Sequence, residues 1–194
     1  MKDNSKLKGK DLINIGIYGA IYAVLMTAVS MTGFVPMLLP LIGVFVPIVC
    51  GIPMMLFMTK VKKFGMVSIM GILFGIFLWI TGMGYWPFIF SIVCSIAADL
   101  ICKSGDYKSS KKTIIANGVF SMMFFGNLVP LYTDIEGYFS TRQGFGVEYM
   151  EEVTRIMQPW TAPVLLVAGF VAGIIGALIG MKLLKKHFIK AGIA

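Results

Sequence analysis

The sequence predicts an all-α membrane protein, a compact bundle of six transmembrane helices with both termini in the cytoplasm and a short lid segment outside. Three observations predict this fold class. The mean hydropathy is +0.87 and only 13% of the 194 residues are charged, whereas charged residues make up about a quarter of a soluble domain. The apolar residues fall into six runs, and the lysines all cluster at the same ends of these runs. We expect one integral membrane domain over residues 1–194, located in the cell membrane.

Each apolar run marks one expected membrane helix. A helix needs about 20 mostly apolar residues to cross the hydrocarbon core, and all six runs approach that length. Pro36 and Pro40 separate the first run from the second. Because proline removes a backbone donor, we expect an irregular outer connection there. The expected spans are residues 12–33, 41–59, 66–82, 87–102, 114–132 and 161–184.

The lysines indicate the orientation in the membrane. They precede the first span, join the second to the third and the fourth to the fifth, and follow the sixth, whereas the opposite side carries only Arg142 and Arg155. By the positive-inside rule, the lysine-bearing ends face the cytoplasm. Contact with anionic lipid headgroups accounts for the formal charge of +8, so we expect no nucleic acid partner.

The outer side carries a tight aromatic turn, TGMGYWPF, between the third and fourth spans, and a longer acidic segment, residues 133–159, between the fifth and sixth. A long connection in so small a protein is usually functional or disordered. Apolar residues recur at helical spacing in the second half of this segment, at Val147, Met150, Val153, Ile156 and Met157. We therefore expect a short amphipathic helix that forms an ordered lid over a cavity or on the membrane surface.

Small residues form a flat face on the first span, and they recur with the same offsets on the sixth. On the first span they fall within a sector about 100° wide, counted at about 100° per residue. The members are Gly16, Gly19, Ala20, Ala23, Thr27 and Ser30 on the first span, and Gly169, Ala172, Gly173, Gly176 and Gly180 on the sixth. In lipid, small residues let helix backbones approach closely. These faces either pack within the bundle or are kept for another membrane protein.

The polar residues of the spans match no catalytic or metal-binding motif. His187 is the single histidine, and the sequence has no paired intramembrane carboxylates and no glycine-rich nucleotide loop. Asp99 lies inside an apolar run, and Lys103, four residues later, is its expected ion-pair partner. The three cysteines lack CxxC spacing and are expected in core or lipid-facing positions. We therefore predict no catalytic residue, no metal site and no cofactor, and a protein that is not an enzyme.

A candidate ligand site lies at the outer ends of the spans. Asn127 stands several residues inside the outer boundary of the fifth span, where a carboxamide needs a hydrogen-bonding partner that a ligand can supply. Aromatic side chains with a few polar groups are typical of small-molecule sites, although an interfacial belt is the alternative explanation for the aromatic residues. The expected ligand-binding residues are Asn127, Trp79, Tyr85, Trp86, Tyr132 and Trp160.

Three stretches of the sequence resemble a known family. They are KDLINIGIYGAIYAV, GIPMMLFMTKVKKFGMVSIMGILFGI and AADLI. Together with six short spans and the absence of coupling-ion residues, they resemble the Trep_Strep group, also called the MptD family, of substrate-binding S components of energy-coupling factor (ECF) transporters. The resemblance covers nearly the whole chain and is most specific from the second to the third span.

The resemblance implies a division of labour between subunits. An S component captures a vitamin-like or other micronutrient small molecule from outside, and delivers it inward with a membrane coupling protein and two cytoplasmic ATPases. It hydrolyses no ATP itself. In this family an AxxxA-like motif on the first helix contacts the coupling protein. Gly16, Ala20 and Ala23 stand where that motif would be, with glycine in place of one alanine.

Two other classes of function stay open. A self-sufficient small-molecule channel or facilitator would need a polar path across the bundle, which only Asn117, Asn127 and a few hydroxyl groups could line. An intramembrane enzyme or accessory subunit would need a convergent catalytic pair, and the sequence offers none.

Overall fold

The computed structural model describes residues 6–142 and 144–188, which are helical or in short connections and contain no strand. Lys2, Lys190 and the side chain of His187 lie outside the described part. The helices are α1 Gly9–Ser30, α2 Ile42–Lys60, α3 Met66–Leu78, α4 Tyr85–Ser104, α5 Ser110–Ser121, α6 Val129–Thr133, α7 Ile135–Ser140, α8 Val147–Ile156 and α9 Thr161–Leu183. The predicted all-α membrane fold is confirmed.

Within the described ranges, five segments are long and apolar enough to cross a membrane: Gly9–Phe34, Pro36–Lys60, Met66–Met83, Tyr85–Ser104 and Thr161–Lys186. These correspond to all the expected spans except the fifth. Short 3₁₀ turns at Met31–Phe34 and Pro36–Leu41 form the outer connection between α1 and α2. Between α3 and α4 the chain reverses at Gly82 and Gly84, whose φ angles of 84° and 86° suit glycine because it has no Cβ.

The expected fifth span at residues 114–132 is not one continuous helix. After α5 the chain tightens into a 3₁₀ turn at Met122–Asn127 and then starts the short α6. Pro130, in the first turn of α6, keeps this helix separate from the preceding turn, because it has no N–H to donate to the carbonyl of Gly126. A 3₁₀ turn rises about 2 Å per residue, so α5 and this turn together extend about 30 Å, which is enough to cross the hydrocarbon core.

The long helices form a closed ring in the order α1, α2, α9, α5, α4, α3, and α3 returns to α1. Aromatic side chains fill the middle of this ring. The ring of Tyr22 lies 4.9 Å from that of Phe74 and 6.3 Å from that of Phe120, and all three side chains are buried. We call these three residues the central aromatic cluster. It separates an outer end of the bundle from the end that carries the lysines.

Close glycine contacts hold α9 against α2. A Cβ added to Gly176 would overlap the carbonyl oxygen of Pro47 and would lie 3.1 Å from the Cα of Ile48. Asn117 of α5 contacts the same helix, donating from Nδ2 to the carbonyl oxygen of Gly173 at 2.6 Å. The small-residue face of the sixth span therefore packs within the bundle.

The small-residue face of α1 differs, because Gly16 and Gly19 would meet nothing within 4 Å if they carried a Cβ. Ala20 is exposed, and Ala23 is half-buried against the core. The middle of the face therefore lies open on the surface of the bundle, and its Ala23 edge touches the interior.

The expected ion pair between Asp99 and Lys103 is wrong. Asp99 is fully buried, and its Oδ2 accepts hydrogen bonds from the backbone N–H groups of Gly65 and Ser68 at 2.8 and 3.1 Å. These groups lie at the first turn of α3, whose N–H groups have no partner within the helix. The Lys103 amine instead lies 5.2 Å from the centroid of the Phe64 ring. A carboxylate at a buried helix N-terminus gains more than an exposed pair within one helix.

Other contacts bring the lysine-bearing connections together at one end. Lys63 forms an ion pair of 2.7 Å with Asp11 of α1 and donates to the carbonyl of Lys6. The three cysteines are buried in the interior, as their apolar surroundings in the sequence predicted.

Candidate functional site

A cavity of about 310 Å³ opens at the outer end of the bundle. This volume lies at the small end of the range of about 300–1,000 Å³ that ligand pockets occupy. Its walls come from the end of α1, the start of α2, the end of α3, the turn after α5, and the segment that includes α7. The lining residues are Met26, Thr27, Ser30, Gly33, Phe34, Leu39, Ile42, Gly43, Phe77, Leu78, Thr81, Met83, Phe124, Asn127, Leu128, Tyr138, Arg142 and Phe145.

The floor of the cavity is apolar and closed. Met26, Leu78 and Phe124 line it, and each follows a member of the central aromatic cluster by four residues. In a helix that spacing places two side chains on one face, one turn apart. The cluster therefore lies directly beneath the floor.

The roof is the segment between α6 and α9, which we call the lid (residues 134–159, of which residue 143 is not described). Asp134 caps α7, since its Oδ1 accepts a hydrogen bond from the N–H of Gly137 at 2.9 Å. In α8, Val153 is fully buried and packs with Phe139 and Leu131 in a separate small core. The expected short helix is confirmed at Val147–Ile156, although none of its residues lines the cavity, and this small core joins the lid to Leu131 of α6.

Two polar contacts fasten the lid across the mouth of the cavity. The hydroxyl of Tyr149 donates to the carbonyl of Gly33, in the connection between α1 and α2. Burial raises the pKa of Tyr149 to about 12, so the phenol remains a donor at neutral pH. Arg142 donates from Nη2 to the carbonyl of Gly82, in the turn between α3 and α4, at 2.8 Å. The lid thus bridges both outer connections that flank the mouth.

Asn127 and Arg142 are the strongest polar groups in this apolar lining. The Nδ2 of Asn127 donates to the carbonyl of Phe124 at 3.2 Å, whereas its Oδ1 is buried and has no partner among the described residues. The guanidinium of Arg142 lies 3.8 Å from the centroid of the Tyr138 ring. A buried acceptor without a donor is costly, so the site has an unfilled hydrogen-bonding position.

Of the six residues that the sequence suggested for the ligand site, the cavity brings in Asn127 alone. Trp79 is 54% exposed and stacks on Phe88, and Trp160 is 68% exposed. Tyr85 packs against Trp86, also outside the lining. Tyr132 exchanges a hydrogen bond of 2.7 Å with Thr161. These five side chains lie around the outer rim, the arrangement expected of an interfacial aromatic belt.

The polar and aromatic lining residues that the sequence did not suggest come from the lid, from the connection between α1 and α2, and from the ends of α1 and α3. They are Phe34, Tyr138, Arg142 and Phe145, together with the hydroxyl residues Thr27, Ser30 and Thr81. One signal was present in the sequence, since Arg142 is one of only two basic residues expected outside. No group of three metal-ligating side chains occurs within the described ranges.

Comparison with known proteins gives one match. A family described as a hypothetical bacterial integral membrane protein family (Trep_Strep) matches residues 9–190. No curated protein and no solved structure matches the chain.

Proposed function

The chain belongs to the Trep_Strep family of bacterial integral membrane proteins, and we propose that it is the substrate-binding membrane subunit of an ECF-type importer. In this role it captures a vitamin-like or other micronutrient small molecule from outside. A membrane coupling protein and two cytoplasmic ATPases then drive delivery, and the chain itself catalyses no reaction. Membership of an integral membrane family supports the broader role in membrane transport.

The observation that carries the proposal is a cavity that is roofed on the outer side and closed beneath. A binding subunit must hold its ligand without letting it pass, and the lid with the central aromatic cluster meets both requirements. Conversely, a channel needs a continuous polar path. Asn117, which could have lined one, is buried and bonded to Gly173. This arrangement favours a binding subunit over a self-sufficient channel.

The open face of α1 supports the part of the proposal that concerns a partner. Gly16 and Ala20 are exposed, although the equivalent residues of α9 are packed inside the bundle. In lipid, close approach of backbones supplies dispersion contacts that replace the missing hydrophobic drive. A partner helix could therefore lie flat against α1 at Gly16 and Ala20. Ala23 lies at the edge of this face, since it also packs against the core.

Affinity purification from the native membrane tests the proposal. A tagged chain should co-purify with one membrane coupling protein and two ATPases. Ala20→Trp should abolish both co-purification and uptake, because a bulky side chain there would hold the partner away from α1. Ala23→Trp should do the same, but its effect includes disturbed internal packing, so Ala20 gives the cleaner result.

Ile21→Trp is the matched control, because Ile21 is 45% exposed on α1 and points about 100° away from Ala20. It should retain both partners and uptake. If Ala20→Trp keeps full uptake and the same partners, the docking face is disproved. Ligand uptake by vesicles that contain the purified chain alone would instead favour the channel.

A further inference from the structure

Arg142 places a positive charge in the cavity lining, and no carboxylate of the described residues pairs with it. Arg142 is half-buried in the lining, and none of the described residues that line the cavity is acidic. No carboxylate of the described residues lies within ion-pair distance of its guanidinium. Arg142 is partly exposed beside apolar walls, where the effective dielectric constant is lower than in bulk water, so an anion bound next to its guanidinium is stabilised more than it would be in water.

The guanidinium also has donors to spare. It carries five N–H groups. Nη1 donates to the carbonyl of Tyr138 and to Oγ1 of Thr141, and Nη2 donates to the carbonyl of Gly82. Nε and one N–H of Nη2 have no partner in the described part of the chain. Arginine is suited to carboxylate, phosphate and sulfonate oxygens, which accept two parallel hydrogen bonds.

Asn127 lies on the cavity wall formed by the turn after α5, and it needs a hydrogen-bond donor, whereas Arg142 needs an acceptor. Its buried Oδ1 has no donor, because the hydrogen bond to Phe124 uses Nδ2. A ligand that satisfies Asn127 must therefore bring an N–H or O–H group. The remaining lining is mostly apolar and aromatic, with Phe77, Phe124 and Phe145 among its members.

We infer that the ligand is a small amphipathic anion, with an apolar ring body, an anionic group held by Arg142 and an N–H or O–H donor held by Asn127. This inference rests on the proposed function, because it assumes that the cavity is the ligand site. It goes beyond that function by assigning the ligand's chemical class and the two residues that select it.

Two fluorescent probes test the role of the anionic group. Anilinonaphthalene sulfonate carries an apolar ring body, a secondary amine donor and an anionic group, and phenyl-naphthylamine is the same molecule without the sulfonate. Binding of each is measured to the full chain in phosphatidylcholine nanodiscs, with empty nanodiscs as background. The wild type should bind the sulfonate at least about tenfold more tightly than the neutral probe, as expected for a charge-assisted hydrogen bond.

Arg142→Gln should remove this preference and leave the affinity for the neutral probe within about twofold. Arg142→Lys should keep part of the preference, because it keeps the charge. Arg155→Gln, which removes the other outer arginine without touching the cavity lining, should change neither affinity. Equal losses of both probes in Arg142→Gln would mean that Arg142 only fastens the lid, which would overturn the inference.

The donor requirement is tested separately with phenoxynaphthalene sulfonate, in which an ether oxygen replaces the amine. The wild type should bind it more weakly than the amine probe, and Asn127→Leu should abolish that difference. If the difference survives in Asn127→Leu, Asn127 does not select the donor.

The outcomes separate this inference from the proposed function. If the wild type binds both probes with equal affinity, the cavity is a ligand site but the inferred ligand class is wrong. If it binds neither, both the cavity's role and the inference fail. Nanodiscs with added phosphatidylglycerol identify the source of the anion. If phosphatidylglycerol competes with the sulfonate probe in the wild type but not in Arg142→Gln, the bound anion is a lipid headgroup. If phosphatidylglycerol does not compete in the wild type, the bound anion is a solute.

Discussion

Gly176 and Gly16 give a matched test of the packing, because both are glycines at small-residue faces with the same spacing. In Gly176→Ala the new methyl group would overlap the carbonyl oxygen of Pro47 and would lie 3.0 Å from its carbonyl carbon. These are backbone atoms of α2, so they cannot rotate away as a side chain could. In Gly16→Ala the methyl group would meet nothing within 4 Å.

The magnitude follows from the separation that the methyl group forces. Ordinary carbon contacts begin at about 3.5 Å, so α9 must move from α2 by at least about half an ångström, and each displaced contact loses a quarter or more of its attraction. Overpacking of a rigid interior costs about 1–3 kcal/mol. Because the obstacle is backbone, we expect Gly176→Ala to cost about 3 kcal/mol. For a chain of this size that corresponds to a fall in Tm of about 10 °C.

Thermal unfolding of the purified chain in detergent, followed by intrinsic fluorescence, measures the difference. Gly16→Ala should keep the wild-type Tm or raise it slightly, since alanine favours a helix by about 0.5–1 kcal/mol over glycine. If Gly176→Ala keeps the wild-type Tm, the close approach of α2 and α9 is wrong. A comparable fall in Gly16→Ala would mean that the α1 face is packed inside the bundle after all.

Three further predictions follow from other contacts. Asp99→Ala should lower the free energy of unfolding by about 2–3 kcal/mol, because it leaves buried N–H groups of α3 unpaired. Lys103→Ala should lower it by less than about 0.5 kcal/mol. Equal effects would mean that the two residues form an ion pair after all. A reporter fused after residue 194 should be active only in the cytoplasm, and an external signal would reverse the topology. Tyr149→Phe should speed hydrogen exchange in α8 by loosening the lid. In the wild type this protection should persist from neutral to mildly alkaline pH, because burial raises the pKa of Tyr149 to about 12, and an early loss on raising the pH would contradict this protonation state.

Most of the fold was predictable, because an apolar run forms a membrane helix in response to the surrounding lipid, whichever other helices it packs against. A run of about 20 apolar residues has few alternatives in a bilayer. The fifth span was the exception, because α5 ends at Ser121 and a 3₁₀ turn extends the chain in place of a continuous α-helix. The lid helix was predictable for a similar reason, since Val153 and Met157 mark the face of the helix that is buried away from water.

Contacts between distant residues were not predictable in the same way. Asp99 illustrates the difficulty, because Lys103 is its neighbour along α4, whereas the backbone N–H groups that bond to its Oδ2 lie more than 30 residues earlier in the chain. Arg142 likewise reaches the cavity through a contact with Gly82, 60 residues away. Asn127 could be identified because its polarity conflicts with the apolar run around it. The outer tryptophans show no such conflict, since the membrane interface suits a tryptophan as well as a ligand site does.

The two small-residue faces show why periodicity alone could not identify a partner. The small residues have the same spacing on α1 and α9, and this spacing indicates only that the backbone of another helix can approach closely. The ring order determines the rest. It places α9 between α2 and α5, which use up its glycines, whereas it leaves Gly16 and Ala20 of α1 on the surface.

The route of ligand release follows from which end of the cavity is easier to open. Opening the floor would separate the central aromatic cluster and expose Tyr22 and Phe120, which are 2% and 0% exposed. Opening the mouth breaks the hydrogen bonds of Tyr149 and Arg142 and the contact between the rings of Phe34 and Phe145, and it separates α8 from the Pro36–Leu41 turn. The floor belongs to the packed centre of the bundle, whereas the lid lies at its edge, so under the proposed function the ligand would leave through the opening by which it came. If the proposed function is right, delivery to the cytoplasm then requires the whole bundle to turn its mouth inward. Under the proposed function, a partner bound to the open face of α1 would supply the force for this movement.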